Sequence, residues 1–224
     1  MKISDFDLII FDIDDTIISE SQFNLSGFKF ISKIISQDKK IHEEDLFGKF
    51  QYYYELGFPK IFNKTLDFFN LKYDDIYIEN LVQKFREHSP QIKLYDDFLI
   101  VVKYLRKNNK KIGIITDGFK KTQRNKINYL KLDEIVDYII VTDELGKEFW
   151  KPHPLSFEKM KNYFEIDYRK MVYIGDNPLK DFAIKRNYPI FTVQINRNGL
   201  YSKLKYLDDI EPDLIVSSLD ELIW

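Results

Sequence analysis

A doubly wound parallel α/β sheet carrying an inserted all-helical block is the architecture this sequence predicts, and three observations lead there. Uniformly apolar runs end abruptly in acids or hydroxyls, as at Leu8-Ile9-Ile10-Phe11 before Asp12 and Ile112-Gly113-Ile114-Ile115 before Thr116. Such runs read as parallel strands buried on both faces, and the polar residue marks where each strand meets solvent. From residue 92 onward these runs alternate with stretches of helical spacing, the pattern of right-handed β-α-β crossovers with helices on both faces of a sheet. Residues 17–91, in contrast, show helical periodicity alone. The core is therefore assigned to residues 1–16 and 92–224, and the helical block to 17–91.

In chain order, the first strand is Leu8 to Phe11, ending at Asp12-Ile13-Asp14-Asp15-Thr16. Four helices are expected next. Phe28, Ile31, Ile34 and Ile35 carry the first, Leu46, Phe47, Phe50, Tyr53 and Tyr54 the second, Phe58, Ile61, Phe62 and Phe69 the third, and Tyr77, Leu81, Val82 and Phe85 the fourth. Gly57-Phe58-Pro59 and residues 70–75 punctuate them. Their aromatic stripes read as the core of a small bundle. Leu99, Val102 and Leu105 mark a helix before the strand Lys111 to Thr116, and Asp117-Gly118 forms a turn into a helix reaching about Leu130. The strand Tyr138 to Thr142 follows, Pro154 opens a helix carrying Phe157, Met160 and Phe164, and Met171 to Gly175 is the next strand. A short helix through Phe182, a strand Pro189 to Val193 and a last strand at Leu214-Ile215-Val216 complete the chain.

Composition excludes several function classes. The 224 residues are 44% hydrophobic and 31% charged, the balance of a globular chain. Lys+Arg 34 against Asp+Glu 36 leaves a net charge of -2, so neither nucleic acid nor an acidic membrane surface is an expected partner. With no cysteine, disulfides, thiolate metal sites and cysteine nucleophiles are all absent. Asp7 and Asp12 interrupt the N-terminal apolar segment, no stretch has the length of a membrane span, and a cytoplasmic protein is expected, as monomer or homodimer. His42, His88 and His153 show no ligand spacing; His153 reads as a loop histidine.

The chemistry gathers where the strands end. Ligands of open α/β sheets bind beyond the carboxyl ends of the strands, so Asp12, Thr116 and Asp176 are expected on one rim, with the helical block placed to lie over it as a lid. Asp12 and Asp14, two apart on extended chain, address one point in space. Two like charges so aimed need a cation, a shared proton or both. Asp117-Gly118 offers backbone amides to an anion. Gly175-Asp176-Asn177-Pro178-Leu179-Lys180-Asp181 joins a strand end to two carboxylates around a tight turn. Each of these has an ordinary reading alone, an acidic turn or a strand-end threonine. Their combination and order carry the signal.

Taken together, Asp12-Ile13-Asp14-Asp15-Thr16, Thr116, Lys151 and Gly175-Asp176 with Asp181 resemble, in order, the four motifs of the haloacid dehalogenase superfamily of phosphohydrolases. The helical block between the first two resembles the cap of some members. The resemblance implies a Rossmann-like core and a Mg2+-dependent phosphatase of a small phosphorylated metabolite. In that scheme Asp12 is the nucleophile forming an aspartyl-phosphate, and Asp14 the acid and then the base. Magnesium is held by the Asp12 carboxylate, the Asp14 main-chain carbonyl and Asp176. Thr116, Asp117, Gly118 and Lys151 hold the phosphate, and Asp181 supports Lys151. Substrate choice is expected in the helical block and in residues 17–24 and 118–121. Asp15 stands where many members have glycine, Asp117 where asparagine is frequent, residues 146–150 lengthen the approach to Lys151, and no Gly-Ala pattern follows Asp181. A sugar-phosphate mutase would keep every residue named. A dehalogenase would not need Asp14. A receiver-like signalling domain or a non-catalytic binding protein represents a different class; in the receiver order, the acids precede the lysine.

Overall fold

The computed structural model describes residues 2–223 apart from 198, 200, 202 and 203. Contacts divide the chain into two compact units, Met1–Glu20 with Lys93–Trp224, and Ser21–Ile92. The first unit is built on six parallel strands, β1 (Leu8–Phe11), β2 (Lys111–Thr116), β3 (Tyr138–Val141), β4 (Met171–Gly175), β5 (Phe191–Ile195) and β6 (Leu214–Val216), in the order β3-β2-β1-β4-β5-β6. The order reverses at β1, so β2 and β4 flank it. Phe11 lies level with Ile114 and Ile174, which brings the ends of all three strands to one rim. This is the crevice where doubly wound sheets bind ligands.

Side chains alternate across the sheet. Leu8 and Ile10 pack with Phe157 and Met160 of α7 (Leu155–Phe164) in one core cluster. On the other face Phe11 meets Phe98 of α5 (Asp96–Lys107) edge to face, with ring centroids 5.2 Å apart. Burying such a side chain stabilises by roughly 1.5–3 kcal/mol, so the central strands carry the stability that fixes the rim. Of the apolar residues expected to bury α5, Leu99 is instead exposed. Phe98, Val101 and Leu105 face the core, a stripe rotated by one residue. Strand β5 starts two residues later than Pro189, which has no amide proton for a ladder bond. Thr142 leaves β3 to open a 3-10 turn, and in place of a short helix through Phe182 the chain makes a 3-10 turn over Ala183–Arg186.

The second unit consists of most of α1 (Glu20–Lys39) with α2 (Glu43–Glu55), α3 (Ile61–Phe68) and α4 (Asp75–Glu87). Phe28, Ile31, Ile35, Leu46, Phe50, Leu66 and Leu81 form its core. Phe58 lies ahead of α3 and is exposed, because Pro59 precedes the helix. Asp74 caps α4, accepting from the Tyr77 amide at 2.8 Å. The buried His88 lies 2.6 Å from the Ser26 hydroxyl, and burial lowers its pKa, so it is a core histidine of this unit. Among the described residues no helix is long and apolar enough to cross a membrane.

Candidate active site

Asp12 follows β1 directly, its amide donating to the Ile174 carbonyl at 2.9 Å, and its side chain is almost wholly buried. One carboxylate oxygen accepts the Ile13 amide at 2.8 Å, and the other lies 3.0 Å from the Lys151 ammonium. Burial alone would raise the Asp12 carboxyl, but Lys151 and, behind it, Lys180 hold it below its usual range. Lys151 is itself buried. It donates to Asp181 at 2.8 Å and to the Tyr173 hydroxyl at 2.6 Å. Burial works against its charge, yet Asp12 and Asp181 outweigh it and hold the ammonium well above its ordinary value. A charged carboxylate and a charged lysine thus sustain one another in a dry setting.

Asp181 serves that pair from beneath. Its first oxygen takes Lys151 and the Tyr173 hydroxyl (3.1 Å), and its second accepts the Asn177 amide at 2.8 Å. Gly175 makes this approach possible, since a Cβ there would collide with the Asp181 carboxylate. Asp176 follows β4. Oxygens of Asp12, Asp176 and Asp181 come within 4.8 Å of one another. Burial, then the charges of Asp181 and Asp12, push the Asp176 carboxyl up to about 9. Three converging carboxyl groups, one of them raised by burial and by its neighbours' charge, form a donor set suited to a hard divalent cation.

Thr116 ends β2 fully buried, and its hydroxyl oxygen accepts from the Gln123 side-chain amide at 2.5 Å. Gly118 has φ 126°, a conformation open to glycine, and turns the chain into α6 (Lys120–Leu130). The Asp117 side chain does not face outward as part of a phosphate loop. It is buried, accepting from the Thr142 hydroxyl at 2.7 Å and the Lys151 amide at 3.1 Å, and it lies 3.5 Å from Lys180. Asp117 therefore has a charged partner, Lys180. Burial and Lys151 would depress that ammonium, but Asp12, Asp181 and Asp117 hold it above its usual range.

Asp14 does not share the surroundings of Asp12. Both of its oxygens are taken by Lys126 of α6, at 2.6 and 2.7 Å, and one also accepts from Gln123 at 3.1 Å. Asp15 adopts φ 47°, a left-handed conformation that aspartate tolerates better than most residues, and accepts the Glu20 amide at 2.9 Å. Burial and the charge of Asp14 push the Glu20 carboxyl up to about 7. Arg197 closes the loop from the other side, donating to the Thr16 carbonyl at 2.9 Å and pairing with Asp97 at 2.9 Å.

All the sequence-nominated residues thus lie at the rim of the first unit: Asp12, Asp14, Thr116, Asp117, Gly118, Lys151, Asp176 and Asp181. Sequence reasoning missed Gln123, Lys126, Tyr173, Lys180 and Glu20. The available signal was weak: Gln123 and Lys126 stand three apart on the helix that follows Thr116, and a polar pair on a helix usually faces solvent.

Comparison with known proteins agrees with this fold. The family model of haloacid dehalogenase-like hydrolases matches residues 9–195. Pyrophosphatase PpaX of Bacillus cereus is 24% identical over 220 residues, covering 96% of this chain and 94% of the relative. Among solved structures, a haloacid dehalogenase-superfamily (HAD) phosphatase from Thermococcus onnurineus superimposes with a TM-score of 0.62 at 24% identity, covering 96% of this chain and 95% of that one. The HAD-hydrolase YfnB from Bacillus subtilis, bound to magnesium, gives 0.70 at 17% identity, covering 97% and 96%. L-2-haloacid dehalogenase from Xanthobacter autotrophicus gives 0.59 at 14% identity with the same coverage, so these structural likenesses bear on fold alone. Because the family model matches residues 9–195, well over half of the chain, including β1 to β5 from Ile9 on, the rim and the helical unit, the chain belongs to the haloacid dehalogenase-like hydrolases.

Proposed function

We propose that this phosphoric monoester hydrolase acts on a small phosphorylated metabolite, with Asp12 as nucleophile and Asp14 as proton carrier. The observation that carries the reading is the separation of the two carboxylates. Asp12 is buried and kept ionised by Lys151, whereas Asp14, two residues on, is held by Lys126 and Gln123. An ionised Asp12 attacks phosphorus in line, forming an O–P bond as the bond to the leaving oxygen breaks. Asp14, entering the step protonated, hands that oxygen its proton, and the resulting carboxylate, the form with which Lys126 pairs, then accepts one from the water that splits the acyl phosphate. The Thr116 hydroxyl, which accepts from Gln123, keeps its own hydrogen to donate to a phosphoryl oxygen. Lys151 balances charge on the transferring group.

Asp12 and Asp176 would hold Mg2+ through their carboxylates and Asp14 through its main-chain carbonyl, while Asp181 is already engaged by Lys151 and the Asn177 amide. When bound, the cation supplies charge neutralisation between these carboxylates and the substrate phosphate. Because Asp176 is driven up to about 9, metal binding below that pH must release its proton. Magnesium affinity should therefore strengthen from pH 6 to pH 9, by up to about tenfold per pH unit. Calorimetry in two buffers of different ionisation enthalpy measures the proton release; affinity independent of pH would remove Asp176 from the donor set.

Phosphate release from a metabolite panel, in Mg2+ or EDTA, tests the activity. The panel includes inorganic pyrophosphate, since the similar Bacillus cereus protein is a pyrophosphatase. Turnover that survives chelation would sink the mechanism. Asp14→Asn should lower kcat by about 10²–10⁴-fold, the ordinary size of a general acid-base contribution, with magnesium affinity nearly unchanged. A matching loss of magnesium affinity would show that the Asp14 carboxylate, and not its backbone, serves the metal.

A further inference from the structure

Helix α6 presents two buried polar side chains to the rim, one turn apart on the same face. Gln123 is 1% exposed and Lys126 is 2% exposed. Lysine is seldom buried without a partner, and Lys126 spends its charge on Asp14, touching both carboxylate oxygens. Gln123 divides the donors of one amide group between the Thr116 hydroxyl oxygen, at 2.5 Å, and Asp14, at 3.1 Å. The residue proposed to grip the phosphoryl group and the residue proposed to carry the proton are therefore tied through a single side chain. The helix that supplies this tie begins four residues after Thr116, across the left-handed turn at Gly118, so its placement follows from the end of β2.

We propose that Gln123 and Lys126 are positioning residues for proton transfer: together they fix the plane of the Asp14 carboxylate and its distance from the Thr116 hydroxyl. The assignment rests on the phosphatase reading above. Two contacts from Lys126 and one from Gln123 leave Asp14 little rotation about its side-chain bonds, and a proton carrier gains from being held within a fraction of an ångström of its working geometry. Neither residue needs to touch the substrate.

The test uses the full chain with Mg2+ and two probes, p-nitrophenyl phosphate, whose leaving group departs readily as an anion, and phenyl phosphate, whose leaving group depends more on protonation. Lys126→Met should lower kcat on phenyl phosphate by about 10–100-fold, within the range of acid-base contributions, with KM changed much less. The loss should be smaller for phosphorylation by p-nitrophenyl phosphate, read as the burst of nitrophenol. Lys126→Arg should recover most of the activity. In the Asp14→Asn background, adding Lys126→Met should cost under about twofold, because both changes remove one function. Gln123→Leu, similar in size and uncharged, carries the same expectations should Lys126→Met not fold. Equal losses on both probes, or losses that multiply fully with Asp14→Asn, would overturn the assignment and leave the pair a stabilising contact. A wild-type chain inactive on both probes would overturn the phosphatase reading itself, and the assignment with it.

Discussion

Asp12→Asn is expected to reduce phosphate release by at least about 10⁴-fold, the scale on which removing a covalent nucleophile acts. The substitution keeps the size of the side chain and can still accept the Ile13 amide, so the fold should persist. What disappears is the anion. In the wild type, the carboxyl is held below its ordinary range against its own burial because Lys151 stands 3.0 Å away. The measurement is single-turnover kinetics with trapping of acid-stable phosphoprotein. Wild type should accumulate label at Asp12 and the variant none. Residual turnover above one part in a thousand would show that water, not Asp12, attacks phosphorus.

Lys151→Met is expected to damage stability and activity together. Lys151 compensates two buried carboxylates, Asp12 and Asp181, and removing one partner of such a cluster costs about 3–5 kcal/mol. For a chain of this length that corresponds to a melting temperature lower by roughly 10 °C. The pH dependence gives the cause away. In the wild type Asp12 titrates lower when folded than its ordinary 3.8, so its contribution to stability is present above that value and is lost as acid is added. Without Lys151, the burial of Asp12 is opposed only by Lys180 and the Ile13 amide, and its carboxyl rises. The folded form then favours the proton at Asp12, so its contribution to stability is greatest in acid and falls as pH rises. The melting deficit of the variant should accordingly shrink from pH 8 to pH 5. A deficit that does not change with pH would mean that lost packing, not lost charge, is responsible.

Much of the fold was legible locally. Strands β1, β2 and β4 match the apolar runs because uniform hydrophobicity bounded by polar residues has few other solutions in a sheet buried on both faces. The misplaced stripe on α5 and the later start of β5 were not legible, because which of several apolar residues turns inward depends on the neighbour it packs against. The same limit applies at the rim.

By itself the sequence determined which chemical groups stand at the ends of the strands: acids after β1 and β4, a hydroxyl after β2, and a lysine ahead of α7. Strand termini and motif order are local properties, written in the alternation of apolar runs and polar stops. Only the tertiary structure decided how those groups are paired. Lys151 joins Asp12 to Asp181, Lys126 takes Asp14, and Asp117 turns inward to the Lys151 amide. These partners lie from 30 to 139 positions apart in the chain, as the numbering of Lys151, Asp181 and Asp12 itself shows. Their meeting depends on strand order and on the rotation of α6 about its axis, which no local pattern encodes. Two aspartates separated by one isoleucine consequently hold different surroundings, Asp12 beside Lys151 and Asp14 beside Lys126.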